Sequence, residues 1–275
     1  MTDQAAGAQS AGAEPVPVLA VASGKGGVGK TTVAVNLALG LRALGLTVGL
    51  VDADLYGPDA AHMLGLRRRN TTKSITLFAA RGQAASRLEV ARQHGLQLAS
   101  AAFLMGESQG LGVQAGVAQL LVRRLIADAE WEDIDCLVVD LPPGSADIQQ
   151  FVFALAGRRV HVLLVVTPQV VAHRDAHRLI TELDRHGAII AGGVENMASL
   201  RCPACGAESE LFVPAPPAES IWGKVPLLAS IPFSGQGAHD ADNGLPVFLT
   251  NTVPEQVAAY KSLARQVAGL LRAPD

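Results

Sequence analysis

The sequence predicts an α/β fold, a doubly wound and mainly parallel sheet with helices on both faces. Two observations carry that reading. Short apolar runs alternate with helical segments along most of the chain, and the runs are continuously apolar, as strands covered on both faces are. The first run opens into Gly24-Lys25-Gly26-Gly27-Val28-Gly29-Lys30-Thr31, which fits the template of a phosphate-binding loop.

Residues 16–23 form the first predicted strand, an apolar run that ends at the glycines. A helix is predicted over 30–44, where Val33, Leu37, Leu41 and Leu44 recur at helical spacing. Strand, glycine loop and helix thus stand in the order that phosphate binding requires. Strands follow over 47–52 and 96–101, then a helix over 117–129 and a strand over 136–140. A helix near 148–156 leads to a strand over 160–166 and a helix over 170–186. Strands over 188–195 and 225–231 and a closing helix over 254–271 complete the alternation. The least regular stretches are 67–92 and 201–222; the second holds Pro203, Pro214, Pro216 and Pro217. No internal repeat is visible.

The chain has 275 residues, 49% hydrophobic, enough for one large α/β domain with a substantial core. The domain is expected over 16–272, with a cysteine-bearing insert at about 197–222, after a disordered tail over 1–15. That tail has neither a basic start nor an apolar stretch, so it does not read as a secretory signal. A net charge of −3 leaves no basic footprint, and no nucleic-acid partner is expected. Arg67-Arg68-Arg69 reads as a solvated loop. No apolar run is long enough to span a membrane, and no membrane partner is expected. Three cysteines do not make a disulfide framework and, with a nucleotide motif, suggest the reducing cytoplasm.

The chemistry-bearing residues cluster after strand ends. Backbone N–H groups of the loop from Gly24 to Thr32 can turn inward around phosphate oxygens, Lys30 reaching the β/γ-phosphates and the Thr31 hydroxyl ligating Mg²⁺. Asp52 and Asp54 follow the second strand, beside the ligand crevice of an open α/β sheet. Such residues also cap helices, but behind a phosphate loop the ligand-facing reading is preferred. Asp140 ends four apolar residues and precedes Leu141-Pro142-Pro143-Gly144, as a carboxylate beside Mg²⁺ and the γ-phosphate would. Nothing marks a phosphate acceptor, so water is the expected nucleophile of ATP hydrolysis. Cys202-Pro203-Ala204-Cys205-Gly206 sets two thiols three apart on a turn, suited to one metal or a cluster edge. A closed site needs four ligands, and a two-fold axis would supply them. Alternatively the pair forms a redox disulfide, half a zinc site or nothing. Cys136, inside a strand, is expected to be buried. His173 and His177 have metal-ligand spacing, but Arg174 and Arg178 alternate with them, so a solvated helix face is expected. The apolar stripe Val257, Tyr260, Leu263, Val267, Leu270 and Leu271 is expected to dock on the sheet rather than on a membrane.

The extra lysine of the loop, Lys25, makes it resemble the deviant Walker A group of P-loop NTPases, which includes the ParA/MinD partitioning proteins, the nitrogenase iron protein and the Mrp/ApbC iron–sulfur carriers. The resemblance to the Mrp/ApbC carriers runs from about Val16 to Leu271. It is carried by the glycine loop, by Asp52-Ala53-Asp54-Leu55-Tyr56-Gly57-Pro58, by Leu141-Pro142-Pro143-Gly144-Ser145-Ala146-Asp147, and by Val194-Glu195-Asn196-Met197 ahead of Cys202 and Cys205. It implies a homodimer in which Lys25 crosses to the partner's nucleotide and takes part in catalysis. Asp54 then places the attacking water or the Mg²⁺ shell, and Asn196 and the Ile231-Pro232 segment lie by the adenine. The implied function is an ATP-binding carrier with slow ATPase activity. A [4Fe–4S] cluster bridges Cys202 and Cys205 of two subunits and is delivered to apo iron–sulfur proteins. A ParA/MinD-like positioning ATPase and a nucleotide-gated, zinc-bridged scaffold are the alternatives. The sequence departs from the family at Leu211-Phe212-Val213-Pro214-Ala215-Pro216-Pro217, where a glycine-rich run is usual, and near Val113-Gln114-Ala115-Gly116.

Overall fold

A computed structural model describes residues 16–55, 57–66, 88–104, 115–144, 160–202 and 204–272. The expected tail over 1–15, Tyr56, the arginine run at 67–69, Val113 and Gln114, the segment 145–147, the helix near 148–156 and Pro203 lie outside the described residues.

The strands are β1 (Val18–Ala22), β2 (Val48–Asp52), β3 (Ala91–Gln93), β4 (Leu96–Ser100), β5 (Cys136–Asp140), β6 (Val160–Val166), β7 (Ile189–Arg201), β8 (Glu208–Ser209) and β9 (Leu227–Phe233). They form one sheet in the order β3-β4-β2-β5-β1-β6-β7-β8, with β9 also on β7. Only β3 and β8 run antiparallel to their neighbours. The helices are α1 (Lys30–Ala43), α2 (Ala60–Met63), α3 (Ala115–Ala127), α4 (Val170–Arg185), α5 (Gly235–Asp242), α6 (Val247–Thr250) and α7 (Pro254–Arg272). Parallel pairing needs crossover connections, and α1 lies between β1 and β2, α3 between β4 and β5 and α4 between β6 and β7, while α5, α6 and α7 follow the last strand.

Two cores result, one on each face. Leu19, Val21, Val48, Leu50 and Val138 pack under α1 and α7. Their strand neighbours Val18, Ala20, Val51, Leu137 and Val139 point the other way and pack under α3 and α4. A fully buried strand needs apolar residues at every position, which is why β1 and β5 read as unbroken runs. α7 docks as expected, burying Val257, Tyr260, Leu263, Val267 and Leu271, while Leu270 stays exposed. Each large side chain buried in this way contributes roughly 1.5–3 kcal/mol.

The sheet extends beyond the expected elements at both edges. β3 joins β4 through His94 and Gly95, whose φ angles of 50° and 77° make a two-residue hairpin turn. β7 does not stop at Glu195. It passes through Met197, at φ 56°, and continues to Arg201, pairing there with Ser209 and Glu208 of β8. Past Val166 the β6 side of β7 is vacant, and β8 takes that place. The order also fixes the site. β1 sits centrally between β5 and β6, and the loop after it opens at the carboxyl ends of all three.

Candidate nucleotide and cysteine sites

The glycine loop is shaped by what lies against it. A Cβ at Gly24 would fall 2.4 Å from the backbone carbon of Asp175, so α4 can approach only a glycine. Gly29 ends the loop at φ 87°, and a Cβ there would fall 2.3 Å from Nδ2 of Asn196. No side chain caps α1, so its first-turn N–H groups are left for a ligand at the loop. Gly26, Gly27, Val28 and Thr32 complete the loop; Val28 is buried beneath it and Gly27 is exposed. Lys30 is only 6% exposed and lies beside Asp140, whose charge it offsets.

Asp140 and Asp52 end neighbouring strands in register, both fully buried. Oδ2 of Asp140 accepts the Thr31 hydroxyl at 2.6 Å. Its Oδ1 is buried with no hydrogen-bond partner among the described residues. Burial pushes the Asp140 carboxyl up to about 7, against the hydrogen bond from Thr31 and the charge of Lys30. Burial first, then the charge of Asp140, also raises Asp52 well above the ordinary carboxylate range. A carboxyl whose pKa is raised by folding favours the fold at low pH, and Asp140 withdraws that stability as pH rises toward about 7. A divalent cation at the orphaned oxygen reverses the penalty. Thr31, Asp140 and phosphate oxygens form the all-oxygen set that Mg²⁺ prefers, so the residues present fit that ion.

Asp52 is occupied within the chain. Its Oδ2 accepts the Ser100 hydroxyl at 2.9 Å and the N–H of Ala60, the first residue of α2, at 3.2 Å; Oδ1 accepts the Asp54 N–H at 3.3 Å. It therefore shapes the loop that carries Asp54 and does part of the helix-capping work that the sequence offered as its other reading. Asp54 is half-buried and accepts the Gly57 N–H at 3.1 Å. Ser100 escaped the sequence reading; its only signal was its place at the end of a strand beside β2. The turn Pro142-Pro143-Gly144 lies over the glycine loop. A Cβ at Gly26 would touch Pro143 at 3.7 Å, and one at Gly144 would lie 3.8 Å from the Gly24 carbonyl.

Lys25 donates to Oε1 of Gln169 at 3.4 Å, a partner on the loop after β6 that no motif announced. Asn196 is 7% exposed, and its Nδ2 donates to the Val28 carbonyl at 2.8 Å. It pairs in register with Ile231 of β9, next to Pro232, whose carbonyl accepts Nε2 of Gln256 at 2.8 Å. The two expected base-contacting segments thus stand on adjacent strands.

The cysteine pair forms a knuckle at the end of β7. The Cys202 N–H donates to Ala207 and its carbonyl accepts the Gly206 N–H, both at 2.8 Å. Backbone N–H groups of Cys205 and Ala204, then the Cys205 thiol, bond the Cys202 sulfur and hold its thiol below the ordinary thiol value. Arg201 braces the turn, donating to the Gly206 carbonyl at 3.2 Å and to Glu255 of α7 at 2.7 Å. Cys202 is half-buried and Cys205 exposed, and neither is in a disulfide. Cys136 lies fully buried in β5, where burial pushes its thiol up to about 12. Among the described residues no three His, Cys, Asp or Glu side chains are grouped to hold a metal.

The expected solvated face of α4 is corrected at His173. It is 1% exposed, accepts the Ile221 N–H at Nδ1 and meets Trp222 edge-on at 5.6 Å. His177 bonds the Glu219 carbonyl at 3.2 Å. His173 shares the inward stripe of Ala172, Ala176, Ile180 and Leu183, and the segment before β9 folds over it. The two histidines secure that segment rather than a metal.

No helix of the described residues is long and apolar enough to cross a membrane. The sequence is 35% identical to the iron-sulfur cluster carrier protein of Deinococcus radiodurans, over 92% of this chain and 69% of that protein. It is 33% identical to the iron-sulfur cluster carrier protein of Escherichia coli K12, over 92% of this chain and 66% of that one. The chain thus spans about two thirds of the length of such relatives. Among solved structures, a nucleotide-binding protein from Archaeoglobus fulgidus in complex with ADP superposes with a TM-score of 0.64 at 29% identity, covering 83% of this chain and 86% of that one. The septum site-determining protein MinD of Pyrococcus horikoshii, complexed with Mg-ADP, superposes with a TM-score of 0.68 over 94% of this chain and 99% of its own, and at 22% identity shows the shared fold. Over residues 16–268 the sequence matches the ParA family model described as NUBPL iron-transfer P-loop NTPase, and the chain belongs to that family.

Proposed function

We propose that this chain is an ATP-dependent iron–sulfur cluster carrier that works as a homodimer. The observation that supports the cargo most directly is the knuckle, which presents Cys202 and Cys205 outward while Cys136 is sealed in the core. One chain offers two accessible thiolates where a [4Fe–4S] cluster takes four, so the cargo bridges two subunits. Recipients are apo iron–sulfur proteins whose own thiolates accept the cluster by exchange. Anaerobic purification and reconstitution, with iron, sulfide and zinc measured per chain, tests the reading. Stoichiometric zinc without sulfide would replace it with a zinc-bridged scaffold.

ATP hydrolysis follows from positioning and charge neutralisation. Lys30, the loop N–H groups and the amino end of α1 hold the β/γ-phosphates; Thr31 and Asp140 would hold Mg²⁺, whose charge would offset that developing on the phosphate oxygens. Asp54 accepts a hydrogen bond from the attacking water. The new bond forms between that oxygen and the γ-phosphorus as the bond to the bridging oxygen of ADP breaks, and the water proton leaves with phosphate or solvent. Asp54→Ala is expected to lower kcat by roughly 10²- to 10⁴-fold while leaving ATP affinity within a few-fold, since a water-positioning carboxylate acts in the transition state. Phosphate release under saturating ATP is the measurement; wild-type turnover returns Asp54 to loop shaping alone.

Lys25 is assigned to the closed dimer, leaving Gln169 to reach the partner's nucleotide. Lys25→Ala is then expected to bind the first nucleotide normally but to stay monomeric in sedimentation runs with a non-hydrolysable ATP analogue. A variant that dimerises and turns over like wild type would confine Lys25 to its contact with Gln169.

A further inference from the structure

The segment that carries the cysteines is anchored at its entrance on the glycine loop and at its exit on the loop after β6, which in turn contacts Lys25. At its entrance stands Asn196, buried in β7, donating to the Val28 carbonyl at 2.8 Å. The contact is tight, because a Cβ on the next loop residue, Gly29, would lie 2.3 Å from the same amide nitrogen and 3.8 Å from Cε of Met197. Met197 follows in the left-handed region at φ 56°, and the pairing of β7 with β9 shifts register between Asn196 and Leu200. Beyond that bend the strand pairs with β8 at Leu200 and Arg201 and ends at Arg201, one residue before Cys202. At the exit, the Ala215 N–H donates to the Pro168 carbonyl at 2.8 Å, and the neighbouring Gln169 holds Lys25 of the loop at 3.4 Å. Arg201, the last residue of β7, donates to the Gly206 carbonyl and so ties the knuckle to its strand, while its second bond, to Glu255, reaches α7.

We infer that Asn196 is a positioning residue that couples the nucleotide state of the glycine loop to the geometry of the Cys202–Cys205 knuckle. The Val28 carbonyl belongs to the loop whose N–H groups turn around phosphates, so rearranging the loop moves the acceptor of the Asn196 amide. A buried amide cannot give up that bond without leaving a polar group unpaired, and the strand therefore follows. The bend at Met197 is where the two halves of β7 change their relative angle. By linkage the effect is reciprocal: metal or cluster on the thiols alters nucleotide affinity by the same factor. The inference rests on the carrier reading only for the identity of the cargo.

The test uses the full chain stripped of metal with a chelator that is removed before Mg²⁺ is added, anaerobically, with iodoacetamide as the thiol probe. Peptide mass spectrometry separates Cys202 and Cys205 from Cys136, whose burial makes it an internal reference. In the wild type the alkylation rate of the pair is expected to differ about fivefold or more with and without saturating Mg-ATP analogue. Asn196→Ala, and Asn196→Asp, which keeps the size but cannot donate, are expected to need more nucleotide for saturation and then to show the same rate in both states. A merely structural role would change the rate in both states alike and keep their ratio. An unchanged ratio in either folded variant, or no nucleotide response in the wild type, overturns the coupling. If neither variant folds, wild-type hydrogen exchange over 198–202 decides: nucleotide-dependent protection supports the inference, and its absence overturns it. Cluster loading is measured separately on the same wild-type protein. Loading without a thiol response sinks the coupling alone, and a thiol response without loading sinks the carrier reading alone.

Discussion

Lys30→Ala is expected to abolish measurable ATP binding while leaving the protein folded. Lys30 is 6% exposed, and its charge is among those that hold Asp140 down against burial. In the complex it supplies about two charge-assisted hydrogen bonds to phosphate oxygens, each contributing ~1.5–3 kcal/mol. Losing both weakens binding by roughly 10²- to 10⁴-fold. The variant also removes a cation that relieves Asp140 and leaves that buried carboxylate beside Asp52 with less relief. Part of the stability cost is avoided because Asp140, with its pKa raised to about 7, can take up a proton. The measurement is titration with a fluorescent ATP analogue, with circular dichroism on the same sample. An affinity within a few-fold of wild type in a folded variant removes the assignment of this loop as the phosphate site.

The parts of the fold that were legible in the sequence are those where one residue pattern has one physical meaning. β5 and β6 begin and end where the sequence places them, because strands covered on both faces are apolar almost throughout; the half-buried His161 near the start of β6 is the exception. The glycine loop was legible because strand, loop and helix are contiguous. β3 was missed because its three residues are partly polar and its turn is His94-Gly95, whereas Asn-Gly or Asp-Gly is the recognisable signal for two left-handed residues. The second half of β7 was missed because Met197 breaks the strand with a conformation that a methionine rarely takes. α5 was masked by its glycines, although Ser234, which accepts the Gly237 N–H at 3.2 Å, was a usable cap signal. His173 was misread because alternating arginines describe the outside of α4 and say nothing of the loop that covers its inside. At the site, the residues were legible one by one, but the pairings of Asp52 with Ser100, Lys25 with Gln169 and Asn196 with Val28 join distant segments that only the sheet order brings together.

Cys202→Ala or Cys205→Ala is expected to lose cluster binding altogether while keeping ATP binding. The proposed phosphate and Mg²⁺ site is built from β1, α1 and the ends of β2 and β5, and the one β7 residue assigned to the nucleotide, Asn196, precedes the knuckle by six positions. Loss should be complete rather than partial, because a bridged site with one ligand missing per chain has only two of four thiolates left across the dyad. Alanine at 202 also strips the sulfur that the N–H groups of Cys205 and Ala204 bond, but those donors are at the surface and water replaces it. Alanine at 205 leaves the half-buried Cys202 sulfur as the only thiol of the knuckle. Cys136→Ala should keep the cluster, since that thiol is fully buried in β5 and points into the core under α1. The stoichiometry follows from the same arithmetic of ligands: one cluster per two chains, with dimerisation and loading rising together. The measurement is iron and sulfide per chain after anaerobic reconstitution, with oligomer mass determined on the same sample and transfer to an apoprotein followed by its absorbance. A full cluster on each monomer, or full loading in Cys202→Ala, excludes the bridged site. Loading that disappears with either ligand and persists in Cys136→Ala confines the cargo to the knuckle at the end of β7.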